Sequence, residues 1–111
     1  MLLSLKTQKS QRQFPRYKVN YDFKYSYNNK SAKCEIINIS EGGMLIKIPQ
    51  ILDIGDKIRL YFDDYNNFDI QAVIKHKNYN YFGVGFYDYS DEDQNFVKQF
   101  IKDIKNKNRY L

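Results

Sequence analysis

Arg12 and Arg16 stand four positions apart near the start of a 111-residue chain that elsewhere meets its need for positive charge with lysine: of 18 cations, 14 are Lys and four are Arg. A guanidinium offers a planar fork of donors and a stackable face that an ammonium lacks, so the pair points to recognition of a phosphate or a nucleobase. Pro15 biases Phe14 away from the helical region, and the segment from Arg12 to Arg16 should run extended or turned. In an extended chain the two guanidiniums project to the same side, roughly 13 Å apart at most, a span that suits a ligand with two charged or aromatic ends. A second polar cluster follows at Asn38-Ile39-Ser40-Glu41-Gly42-Gly43. By itself it reads as a turn between two strands. Asn38 and Ser40 share strand parity, so their side chains should point together, and Gly43 permits either a positive φ or a close approach that a Cβ would block.

Other chemistry is thin. His76 is the single His and Cys34 the single Cys, which excludes an internal disulfide or a Cys-built metal site. Cys34 lies in an apparent strand, where a small buried thiol is the ordinary explanation. Asp63, Asp64, Asp91, Glu92 and Asp93 fall in loops or at a helix start, where they serve solvation and capping. Gly83-Val84-Gly85 sits within a strand pattern and precedes no helix, so it is no phosphate loop; backbone crowding or a bend explains it. The chain therefore reads as a non-enzyme. It has no apolar run long enough for a membrane helix, and Met1 to Leu5 is too short for a signal core. The expected setting is the reducing cytoplasm, without membrane insertion.

The net charge of +5 is uneven. Residues 1–34 carry eight cations against Asp22 alone, residues 35–93 carry five against eleven acids, and residues 94–111 carry five against Asp103. A basic start facing an acidic middle fits an anionic ligand near the amino-terminal segment better than a polymer laid across the whole surface.

The elements that must position these residues are mostly strands. Tyr and Phe number 11 and 8, a composition that favours β-structure. Val19, Tyr21, Phe23, Tyr25 and Tyr27 alternate with polar residues as a half-buried strand, and Asn28-Asn29 closes it with a turn pair tolerant of positive φ. A second strand over Ser31 to Ile39 changes apolar parity at Ile36 and Ile37, which a bulge would explain. Met44, Ile46 and Ile48 begin a third; Ile58, Leu60 and Phe62 a fourth; Phe68, Ile70, Ala72 and Ile74 a fifth; Phe82, Val84 and Phe86 a sixth. Six short strands without an intervening helix argue for an antiparallel barrel or sandwich. Ser90 and Asp93 then form a capping box, and Phe96, Val97, Phe100, Ile101 and Ile104 recur at helical spacing, predicting a helix over about 91–106 that packs on the β-structure. Residues 1–11 read as a flexible leader, with a single domain over 12–107.

Arg12-x-x-x-Arg16 ahead of the first strand and Asn38-x-Ser40-x-x-Gly43 between the second and third strands, together with the later strand Phe82-Gly83-Val84-Gly85-Phe86, resemble the PilZ domain family from about Gln11 to Ile104. The resemblance implies a six-stranded antiparallel β-barrel with a C-terminal α-helix. It also implies that Arg12, Arg16, Asn38, Ser40 and Gly43 bind cyclic di-GMP. The residue chemistry agrees, since guanidiniums can fork onto phosphate oxygens or stack on guanine, Asn38 can accept from guanine N–H groups and Ser40 can both donate and accept. Gln13 departs from the family, many members of which have a second Arg directly after the first.

The expected function is a stand-alone receptor for cyclic di-GMP that orders its amino-terminal Arg segment on ligand binding and signals to a separate effector protein, in control of motility or biofilm formation. One rival is a non-binding adaptor of the same fold in pilus or motility machinery. Another is a small barrel that binds single-stranded nucleic acid through Tyr79, Tyr81, Tyr87 and Tyr89, whose strand parity places them on the exposed surface; the acidic middle of the chain opposes it. The apolar helix face and aromatic strands can support a homodimer.

Overall fold

The computed structural model describes residues 15–109, with side chains through Asn106; the expected leader over residues 1–11 lies outside the described residues. Six strands form: β1 (Tyr17–Tyr27), β2 (Lys30–Ile39), β3 (Gly43–Lys47), β4 (Lys57–Phe62), β5 (Phe68–Asn78) and β6 (Tyr81–Phe86), followed by one helix, α1 (Asp91–Arg109). All pairings are antiparallel. The strands close into a barrel in the order β1-β2-β3-β6-β5-β4, sealed where Lys24, Tyr25 and Ser26 of β1 pair with Tyr61, Leu60 and Arg59 of β4. That last pairing decides between barrel and sandwich.

Local chemistry sets each turn. Asn28 and Asn29 have φ of 52° and 64°, which gives the two-residue hairpin whose twist matches its flanking strands. β2 carries the expected bulge, with the register against β3 shifting between Ile36 and Asn38. Around the glycines of β6 the crowding comes from side chains of the neighbouring strand. The His76 and Lys75 side chains of β5 lie over Gly83 and Gly85, beside a register shift in β5 between Ile74 and His76.

β3 and β4 stand on opposite sides of the ring, so residues 48–56 cross one barrel mouth. Ile48 and Leu52 are buried along this crossing, and the Tyr25 hydroxyl donates to Gln50 Oε1. The other mouth is closed by α1. Its start is the expected capping box, with Asp93 N–H donating to Ser90 Oγ at 3.0 Å and Ser90 N–H to Asp93 Oδ2 at 3.3 Å. Val97, Phe100, Ile101 and Ile104 are buried. Phe96 stacks on Phe68 with centroids 4.0 Å apart, and Phe62 meets both Phe96 and Phe100 edge-on at 4.9 and 5.3 Å. The aromatic excess of the composition is spent largely here, where edge-to-face and offset contacts add to area burial.

Candidate functional site

Arg16 immediately precedes β1, and Asn38 lies in the bulged end of β2, opposite Lys18 in the β1–β2 register. The pairing brings together two motif segments 22 residues apart: Arg16 Nη1 donates to Asn38 Oδ1 at 3.1 Å, on an exposed face. Arg12, with its neighbours Gln11 and Gln13, lies outside the described residues.

Asn38 and Ser40 stand in different settings, Asn38 bonded to Arg16 on an exposed face and Ser40 buried in its own loop. β2 ends at Ile39, so alternation no longer governs Ser40, which turns inward and is 8% exposed. Its hydroxyl knits the loop: Ser40 Oγ accepts from Gly42 N–H at 3.2 Å and donates to the Gly43 carbonyl at 3.4 Å, while Ser40 N–H donates to the same carbonyl at 2.9 Å. The side-chain oxygen thereby does locally what a backbone partner would do. Gly43 has no positive φ. It opens β3 directly across from Gly85, and a Cβ there would fall 2.1 Å from the Val84 carbonyl oxygen. Of the two reasons expected for this glycine, close approach is the one found, and the approaching group is the backbone of β6.

Residues that motif reading passed over surround this loop. Phe86 N–H donates to the Gly42 carbonyl at 3.2 Å, and the Phe86 ring packs on Tyr89 with centroids 5.1 Å apart. Burial above all, then the carboxylates of Glu41 and Asp93, hold the Tyr89 phenol well above its ordinary pKa. Strand parity assigned Tyr89 to the exposed surface with Tyr79, Tyr81 and Tyr87. Tyr79 and Tyr81 are exposed as that parity requires, Tyr79 at 94% in the β5–β6 turn, whereas the Tyr87 hydroxyl donates to Gln71 Oε1 at 2.8 Å and Lys57 sits over the Tyr87 ring. The four tyrosines therefore make no continuous stacking row.

The remaining chemistry stays structural. Burial, with Asp22 nearby, pushes the Cys34 thiol far above its ordinary pKa, so it is neutral and unsuited to nucleophilic attack. Among the described residues no group of three His, Cys, Asp or Glu side chains is arranged to hold a metal ion. A cleft beside the β4–β5 turn is lined by Asp22, Asp63 and Asp64 together with Lys24 and Lys33, with Tyr21 donating to Asp64 Oδ2 at 3.1 Å and Lys24 paired to Asp63 at 3.2 Å; its lysines are offset by these carboxylates, which leaves no net attraction for an anion. Among the described residues, no helix is long and apolar enough to cross a membrane.

The family model described as PilZ domain matches residues 10–103. No curated protein sequence matches the chain. Among solved structures, the PilZ domain of YcgR from Escherichia coli with cyclic di-GMP is similar at a TM-score of 0.74 and 14% identity, over 90% of this chain and 95% of that one. The K. pneumonia MrkH complex with cyclic di-GMP is similar at a TM-score of 0.71 and 18% identity, over 89% of this chain and 54% of that one. The Bacillus subtilis inhibitor of motility, MotI/DgrA, follows at a TM-score of 0.65 and 18% identity, over 86% of this chain and 52% of that one. The chain thus spans about half the length of the latter two proteins.

Proposed function

The chain belongs to the PilZ domain family, and from that premise we propose that it is a receptor for cyclic di-GMP, binding it through Arg12, Arg16, Asn38, Ser40 and Gly43, and that it acts by recognition, not catalysis. The observation that carries this reading is the Arg16–Asn38 hydrogen bond at 3.1 Å, which sets a guanidinium against the polar loop after β2. The ligand has two phosphates and two guanines. Arg16 answers a phosphate or a guanine edge, and Asn38 offers an amide to a base. The loop backbone, already knitted by Ser40, needs little ordering on binding, which lowers the entropic cost of association. Arg12, four residues upstream of Arg16, supplies the second guanidinium of the clamp.

The similarity to YcgR and MrkH, both solved with cyclic di-GMP, supports the ligand. The similarity to an inhibitor of motility supports an output through a separate effector protein that reads the occupied loop. Calorimetric titration with cyclic di-GMP tests the receptor reading: saturable binding is expected, and absence of heat and saturation at tens of micromolar overturns it. Retention of an effector on the immobilised protein only when cyclic di-GMP is present tests the output.

A further inference from the structure

The connection between β6 and α1 holds a polar group that the proposed site leaves unused. The Tyr89 hydroxyl is buried and has no hydrogen-bond partner among the described residues, a condition that folded proteins rarely tolerate without a reason. Its surroundings tie it to both the loop and the helix. The ring packs on Phe86, whose N–H holds the Gly42 carbonyl. The Tyr89 carbonyl accepts from Gln94 Nε2 at 3.2 Å, and the next residue, Ser90, caps α1. Asp88, at φ 47°, takes the left-handed turn that ends the β6 alternation just before Tyr89.

Glu41 gives this hydroxyl a use. It stands inside the Ser40–Gly43 loop, where a carboxylate opposes the phosphates of an incoming dianion. Its neighbour Gly42 is bonded to Phe86, the residue on which the Tyr89 ring packs, so Glu41 and the Tyr89 hydroxyl belong to one junction, and burial keeps that hydroxyl protonated and able to donate.

We propose that Tyr89 is a positioning residue of the cyclic dinucleotide site: when ligand occupies the loop, the Glu41 carboxylate is drawn back from the phosphates and accepts a hydrogen bond from the Tyr89 hydroxyl, which fastens the loop to the start of α1. This rests on the receptor reading above. The bond exists only in the occupied state, so it contributes to affinity and not to the stability of the free protein.

The test joins titration with cyclic di-GMP to thermal unfolding of the free protein, for the parent, Tyr89→Phe, Glu41→Ala and the double variant. Tyr89→Phe should weaken binding roughly tenfold, the worth of a hydrogen bond to a charged group, without lowering the unfolding midpoint. In the Glu41→Ala background the same change should cost nothing further. A Tyr89→Phe variant that binds like the parent overturns the proposal, and so does an equal loss in both backgrounds. A lowered midpoint with unchanged affinity would make Tyr89 a packing residue and likewise overturn it. Failure of the parent itself to bind is a separate outcome, which removes the receptor reading and this inference with it.

Discussion

Both ends of β2 are closed by short, asparagine-bearing segments, at opposite mouths of the barrel, and the two are held by different physics. At the first, Asn28 and Asn29 both occupy the left-handed region, so the hairpin is a local solution written in two residues. At the second, among Asn38 and Ser40–Gly43, neither Asn38 nor Gly43 has a positive φ. The conformation is imposed by Arg16 on Asn38, by Ser40 on its own loop, and by β6 on Gly42 and Gly43. A turn fixed by its own dihedrals needs nothing from the rest of the fold. A loop fixed from several sides is preorganised, which is what a ligand site requires.

Arg16→Ala should separate the two most widely. We expect a loss of about 2 to 4 kcal/mol in cyclic di-GMP binding, roughly 30-fold to 1000-fold, with little change in stability because the side chain is exposed. Titration and thermal unfolding of the same variant check both halves, and binding at parental strength would detach Arg16 from the site. Gly43→Ala comes next. Its new Cβ would fall 2.1 Å from the Val84 carbonyl oxygen, so β3 and β6 must separate there, at a cost of about 2 to 3 kcal/mol in chemical denaturation. An unchanged midpoint would mean that the junction yields more easily than its geometry implies.

These contrasts explain how far the sequence could be read. Strands were legible because a half-buried barrel wall imposes a period of two, and α1 because Ser90, Asp93 and the Phe96-to-Ile104 spacing state both its cap and its face. Closure was not legible from periodicity, since the β4–β1 pairing of Leu60 with Tyr25 is a tertiary event that parity does not encode; only the family resemblance pointed to it. Within the site, only the family resemblance put Arg16 and Asn38 in one place; their hydrogen bond is a tertiary contact that motif spacing does not encode. Parity ceases to guide at Ser40 and at Tyr89 for one reason: each stands just beyond a strand end, at Ile39 and at Phe86, where alternation no longer directs a side chain.

Ser40→Ala probes the loop more gently. It removes the acceptor of Gly42 N–H and a donor to the Gly43 carbonyl, leaving a partly buried N–H unpaired, so a loss of about 1 to 2 kcal/mol is expected in denaturant titration. Binding should weaken as well, because the loop must then be ordered by the ligand. If stability falls while affinity holds, the loop is rigid for the sake of the barrel and preorganisation is not its purpose.

The smallest effect belongs to the opposite mouth. Asn29→Gly preserves access to the φ of 64° at no steric cost, so it should change stability by only a few tenths of a kcal/mol, whereas Asn29→Ala should cost about 1 kcal/mol through the crowding of a Cβ in the left-handed region. Neither should alter cyclic di-GMP affinity, because the hairpin and the Asn38–Gly43 loop share no hydrogen bond and lie at the two ends of β2. Unfolding midpoints and titrations of this pair supply the baseline for the loop variants. A binding loss in Asn29→Gly would show that the far mouth communicates with the site, and the division between a self-sufficient turn and an imposed one would have to give way to a barrel that responds as a whole.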